Sequence, residues 1–120
     1  MATVAHVKTA LPRNLTGVNL TDATFQALAA GAGNGADYAY KESDVIVLKN
    51  TTAGNAIYTF KITKPTSWPA GASVTHPTIT VATLKTVVLR IVEIYKDAAN
   101  GDKVTIECDV AGSLLVFDLT

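Results

Sequence analysis

The stretch KVTIECDV (residues 103–110) alternates without a break. Val104, Ile106, Cys108 and Val110 fall on one side, and Lys103, Thr105, Glu107 and Asp109 on the other. Side chains of a β-strand point to opposite faces with period two, so this is a strand with one face in a core and the other outside it. SLLVFDL (113–119) follows a turn at Ala111-Gly112 and predicts a closing strand with no tail behind it.

Working outward from this strand, DVIVLKN (44–50) is a β-branched run ended by Asn50. In AIYTFKI (56–62), Ile57, Thr59 and Lys61 alternate with Tyr58, Phe60 and Ile62. The small residues TTAGN (51–55) between them predict a hairpin with a five-residue connection. TKPTSWPAGAS (63–73) holds two prolines, which cannot donate to a ladder, so it reads as a loop carrying Trp68. PTITVA (77–82) and TVVLRIVEIY (86–95) are the next strands, and the short TLK (83–85) between them suits an antiparallel turn. The second is apolar on both faces from Val87 to Val92 except for Arg90, the pattern of a central strand covered on both sides or facing a partner.

The first third of the chain is less regular. TDATFQALAAG (21–31) fits a short helix capped by Thr21 or Asp22, with Phe25 and Leu28 on one face and Gly31 at its end. It fits equally a strand with Phe25 inward, and the β-like remainder of the chain favours the strand. The glycines and Asn34 of GAGNGADYAY (31–40) predict a loop; a phosphate cradle would need G-x-G-x-x-G leading into an amphipathic helix, and neither is there. Residues 1–20 contain Pro12, a near-repeat NLTGVNLT (14–21) and no sustained period, which predicts an extended arm or an edge strand, of the kind that often lies on a neighbouring subunit. The sum is an all-β protein of about eight short strands, an antiparallel sandwich or small jelly roll over residues 21–120 preceded by an N-terminal arm.

Composition narrows the function. At 120 residues the chain is one domain, and ten basic against ten acidic residues leave no field to hold phosphates, so nucleic acid is not an expected partner. Only 17% of residues are charged, below the roughly 25% of an average soluble domain, which hints at burial against other chains. Cys108 is the one cysteine, so neither an intramolecular disulfide nor a cysteine-based zinc site is expected, and its inward position reads as core. No secretion signal and no apolar run of the ~18 residues needed for a membrane span is present, so a soluble protein kept in a cytoplasm is expected, without a membrane partner. The sequons at Asn14, Asn19 and Asn50 are then chance matches.

Three constellations have residue types that could carry chemistry or binding. The imidazoles His6 and His76 lie beside no nucleophile in a strained turn and have no metal-ligand spacing with Cys108, so neither catalysis nor a transition metal is expected; His76-Pro77 reads as a strand start with the ring exposed. IYKDAANGDKVTIECD (94–109) gathers oxygens around Gly101, as hard cations require. Registered as a calcium loop, however, it puts Lys96 and Ala98 at ligand positions, while Glu107 and Asp109 diverge along a strand; Asn100-Gly101 reads instead as a hairpin turn with positive φ. No cofactor or metal is assigned. Tyr38, Tyr40 and Trp68 sit in or beside predicted loops, where rings cap a core or anchor an interface.

In order, Val45 to Asn50, Ile57 to Pro65, Val81 to Val88, Tyr95 to Gly101 and Leu114 to Leu119 follow a set pattern. A strand ending in Asn is followed by a small-residue turn, a further strand with a Pro loop, a V-A-x-x-K-T-V-V segment, a Tyr-Asp-Gly turn and a closing strand. This order resembles that of small tailed-bacteriophage proteins that decorate or cement the capsid. The resemblance implies a β-sandwich of jelly-roll or tulip type, trimers on the outer surface of an icosahedral head, the major capsid protein as partner and no enzymatic activity; residues 1–20 fall outside it. On that reading the contacts are expected at Val4, His6, Leu11, Pro12 and Arg13 of the arm and at Tyr38, Tyr40 and Trp68. The rival readings are a carbohydrate-binding or adhesion sandwich stacking sugars on Tyr38, Tyr40 and Trp68, and a head-to-tail connector or tail protein.

Overall fold

The computed structural model describes residues 3–11, 20, 24–62, 69, 71, 75–90, 97 and 101–119. These residues form ten strands: β1 (Val4–Ala5), β2 (Thr9–Leu11), β3 (Gln26–Leu28), β4 (Ala36–Ala39), β5 (Val45–Lys49), β6 (Ala56–Lys61), β7 (Thr78–Val81), β8 (Thr86–Leu89), β9 (Lys103–Cys108) and β10 (Gly112–Leu119). One sheet runs β1-β4-β9-β6-β7 and the other β2-β10-β5-β8, with β3 also paired to β10. Both are mixed, because β1 joins β4 and β2 joins β10 in parallel while the other ladders are antiparallel. Among the described residues neither closes into a barrel. The strand reading of residues 26–28 holds, but Phe25 lies on the outer side of the second sheet and Leu28 takes the inward place.

Period-two alternation decides which residues meet. Val104, Ile106 and Cys108 of β9, Tyr58 and Phe60 of β6 and Tyr38 of β4 pack from the first sheet against Ile46 and Leu48 of β5 and Leu114 and Val116 of β10 from the second, in one buried cluster. Removing these side chains from water is the main force holding the sheets face to face. Apolar residues also occupy the outer face of the second sheet, where Val47, Leu115 and Phe117 are buried beneath Leu11, Phe25 and Val45. That face is therefore a second, smaller core.

The antiparallel turns expected at 51–55 and 83–85 are not hairpins. β5 and β6, β7 and β8, and β9 and β10 each lie in different sheets, so the short connections between them are arches that carry the chain across the core. Among the described residues, the consecutive strands β6 and β7 do pair antiparallel within one sheet. Asn50 builds the first arch: its buried Nδ2 donates to Gly54 O at 2.7 Å and Val81 O at 2.9 Å, while Oδ1 accepts from Thr52 N at 2.9 Å and Thr52 Oγ1 at 2.6 Å. A strand that ends in such a hub turns out of its own sheet because the amide satisfies the backbone groups a hairpin would have paired. In the second arch Leu84 adopts a positive φ of 59° and Lys85 O accepts from Asn50 N at 3.0 Å, tying the two arches together. β8, read as a central strand covered on both sides or facing a partner, is the last strand of its sheet among the described residues, and residues 91–95 of the expected strand lie outside them.

Tyr58 ties the sheets through the core. Its hydroxyl, fully buried, donates to Lys49 O at 2.7 Å and accepts from Ser113 N at 3.0 Å, both on the opposite sheet. A Cβ at Gly112 would sit 2.6 Å from that oxygen, so glycine there makes room for the ring. Before β9, Asp97 and Lys103 form an isolated antiparallel bridge, as the expected hairpin turn requires; Gly101 (73°) and Asp102 (59°) hold positive φ there, and Asn100 lies outside the described residues.

Candidate functional site: the N-terminal segment and the sheet edges

Residues 3–11 form one extended stretch that starts at the edge of the first sheet and ends at the edge of the second. Val4 N donates to Gly35 O at 3.0 Å and His6 N to Asp37 O at 2.7 Å; the chain then crosses, and Thr9 to Leu11 pair with Phe117 to Leu119. His6 stands at the crossing. Its ring Nε2 accepts from Val116 N at 3.2 Å and its Nδ1 bonds Gln26 Oε1. This stretch, lying outermost on both sheets, covers one lateral edge of the body, and β7, β8 and the arch between them form the other.

Lys8 anchors the stretch by charge. Its ammonium lies 2.6 Å from Oδ2 of Asp44, a carboxylate only 3% exposed, and 5.3 Å from the centroid of the Tyr38 ring. A buried carboxylate without this cation would be costly, so the pair fixes where the segment lies. Burial, then the Asp44 charge, then Tyr40 push the Tyr38 hydroxyl well above the ordinary tyrosine range. Nearby, Lys41 bonds Asp118 at 2.9 Å, which holds the Asp118 carboxyl below its usual value.

The expected contact residues divide. Val4 (49% exposed), His6 and Leu11 come together along the N-terminal edge, with Leu11 half-buried on the outer cluster of the second sheet. Tyr38 is buried in the chain's own core, and Tyr40 is half-buried against it. Pro12, Arg13 and Trp68 lie outside the described residues. Sequence reasoning missed Val7, 85% exposed beside an open groove of about 270 Å³ that it lines with His6, Thr24, Phe25 and Gln26. It also missed Leu84 (74% exposed) and Val88 (65%) on the opposite edge. Exposed aliphatic residues within strand-like stretches were the available signal, and core packing accounted for them equally well.

Groups that suggested chemistry are engaged structurally. His76, half-buried rather than exposed, accepts from Ile62 N at 3.0 Å through Nδ1. With the same role taken by Nε2 of His6, each imidazole has its lone pair occupied by a backbone donor. The Cys108 thiol is buried and pushed up in pKa by that burial, which disfavours the thiolate. Glu107, expected on a face that stays in water or meets a basic partner, lies under the glycine loop, where Oε2 accepts from Gly33 N at 2.6 Å and Oε1 is 3.9 Å from Lys61 Nζ. Asp109 Oδ1 accepts from Ile57 N at 2.8 Å, so these carboxylates serve separate backbone donors. Gly35 lets this loop close, because a Cβ there would meet Ile106 O at 1.9 Å. No protein-family model, curated protein or solved structure matches the chain.

Proposed function

We propose that this chain is a non-enzymatic virion structural protein that decorates and stabilises a bacteriophage capsid, binding the major capsid protein lattice and its own copies as a trimer on the outer head surface. The observation that carries the reading is the pair of unlike apolar edges. Val4 and Val7 are exposed on one side of the body and Leu84 and Val88 on the other. A head-to-tail contact between two different patches closes into a ring when the rotation permits, which is what a trimer needs. Many modest contacts repeated over a lattice add through avidity, so no single interface has to be large. The order of strand segments that resembles capsid-decoration proteins supports the same reading, as do the crossings between the two sheets from β5 to β6, β7 to β8 and β9 to β10, which suit a sandwich of jelly-roll or tulip type.

A sugar-stacking module is less well supported, because a stacking platform needs exposed rings and Tyr38 is buried. The test is sedimentation and binding. The full chain should form a discrete closed oligomer and bind expanded heads of the phage that encodes it, and Val7→Asp or Val88→Asp should weaken association while leaving the fold intact. A chain that sediments as a monomer at every concentration and ignores expanded heads refutes the proposal. Ring symmetry other than threefold in negative-stain images would move it to a connector or tail.

A further inference from the structure

We propose that His6 is a proton-operated staple, holding residues 3–11 across both sheets in its neutral form and releasing them when the ring takes a second proton. On the edge of β10, β3 pairs with Gly112 to Leu114 and β2 with Phe117 to Leu119, so Leu115 and Val116 fall in a gap between the two partners. The imidazole fills that gap: the Val116 N–H, left without a strand partner on this side, donates to Nε2 at 3.2 Å.

A backbone N–H can only donate, so Nε2 must present its lone pair. The proton of the neutral ring is then on Nδ1, where it is donated to Gln26 Oε1. A second proton has one place to go, Nε2, and there it would face the Val116 N–H, donor against donor. Docking and protonation therefore exclude each other at one atom. The same residue's backbone N–H bonds Asp37 O at 2.7 Å on the other sheet, so losing the ring contact loosens the point at which the segment crosses.

The charged and titratable groups around the ring do not rescue the cation. The segment itself brings Lys8, already paired with Asp44; β4 brings Asp37 and Tyr38; β10 brings Asp118, bonded to Lys41; β3 brings only the neutral Gln26. Burial presses the imidazole pKa below its ordinary 6.5, the Gln26 bond opposes this, and the Lys8 charge adds to it. With the docked-state value depressed, docking is at full strength above 6.5 and is lost as pH falls through the docked-state value. The staple is a property of this edge and holds whether or not the chain belongs to a virion.

Amide hydrogen exchange on the full chain at pH 7.5 and 5.0, corrected for intrinsic rates, reads the device directly. Protection at Val4, His6 and Val116 should fall several-fold, up to the ~30-fold ceiling set by a free ring titrating near its ordinary value. Core amides such as Phe60 should keep theirs. His6→Gln retains an acceptor for Val116 but cannot be protonated, so its protection at these amides should be independent of pH. Equal protection of the wild type at both pH values, or the same loss in His6→Gln, overturns the proposal. Should His6→Gln fail to dock, imidazole nitrogen shifts of the wild type decide. A neutral ring protonated at Nδ1 and titrating below 6.5 is expected, and a ring protonated at Nε2 or still cationic above 6.5 while docked refutes it.

Discussion

Replacing Tyr58 by Phe removes one oxygen and keeps the ring, which isolates the tie between the sheets. The hydroxyl is 2.7 Å from Lys49 O and 3.0 Å from Ser113 N, in a side chain with no exposure, so water cannot take its place. The orphaned Ser113 N–H costs ~1–2 kcal/mol and the Lys49 carbonyl, which keeps a second lone pair, ~1 kcal/mol more. A loss of ~2–3 kcal/mol is expected, and at an m-value of ~1.5 kcal/mol/M the urea midpoint should fall by ~1.5–2 M. Far-UV circular dichroism through the transition measures it. Gly112→Ala supplies the second arm of a double-mutant cycle: its Cβ would lie 2.6 Å from the hydroxyl oxygen but 3.0 and 3.1 Å from ring carbons. Alone it should cost ~1–3 kcal/mol by overpacking. In the Tyr58→Phe background the tightest contact is gone, so the two costs should fall short of their sum by ~1 kcal/mol. A loss below ~0.5 kcal/mol for Tyr58→Phe, or strict additivity in the cycle, refutes the tie.

Lys8→Met strands the buried Asp44 carboxylate and should destabilise by ~3 kcal/mol in urea, with Asp44→Asn in the same background recovering part of the loss. Leu84 holds a positive φ of 59° with its side chain 74% exposed, so Leu84→Gly should stabilise the isolated chain by ~0.5–1 kcal/mol while weakening its self-association in sedimentation. Tyr58 is pushed up to about 12, by burial first, from an ordinary value of 10.0. The hydroxyl stays protonated in the fold while the unfolded chain ionises, so its contribution is complete below pH 10.0 and falls as pH rises toward 12. Alkaline denaturation of Tyr58→Phe should lack that component, and an unchanged profile would contradict it.

Strand positions were legible because alternation survives in a single sequence. Val104, Ile106 and Cys108 are buried as their period demands, and Tyr58 and Phe60 likewise. Connectivity was not legible, for a physical reason. A strand that leads into a hairpin and one that leads into an arch both place every second residue in the same core, so periodicity does not tell them apart. What separates them is where the turn's polar groups go. Asn50 at the end of β5 spends its amide on Gly54 and on Val81, thirty-one positions away, and no local rule anticipates the second partner.

The edge site shows the same division between near and distant partners. GAGNGADYAY reads as a loop through Tyr40 because its glycines favour positive φ, which Gly31 (100°) and Gly33 (78°) do adopt; Gly35 is required instead by the close approach of Ile106 O, and the strand begins directly after it. Once Ala36 and Tyr38 alternate inward with Asp37 and Ala39 outward, Tyr38 belongs to the core and becomes the surface over which Lys8 lies. Residues 3–11 are held by partners remote in sequence: Lys8 by Asp44, His6 by Gln26 and, 110 positions on, by Val116. A segment without periodicity reads as free because its order comes from those partners rather than from itself. Two short parallel pairings, one ion pair and one imidazole hold it, with Val4 and Val7 left exposed. Local opening is cheapest where few buried contacts are lost, so this edge should open before the two-sheet core does.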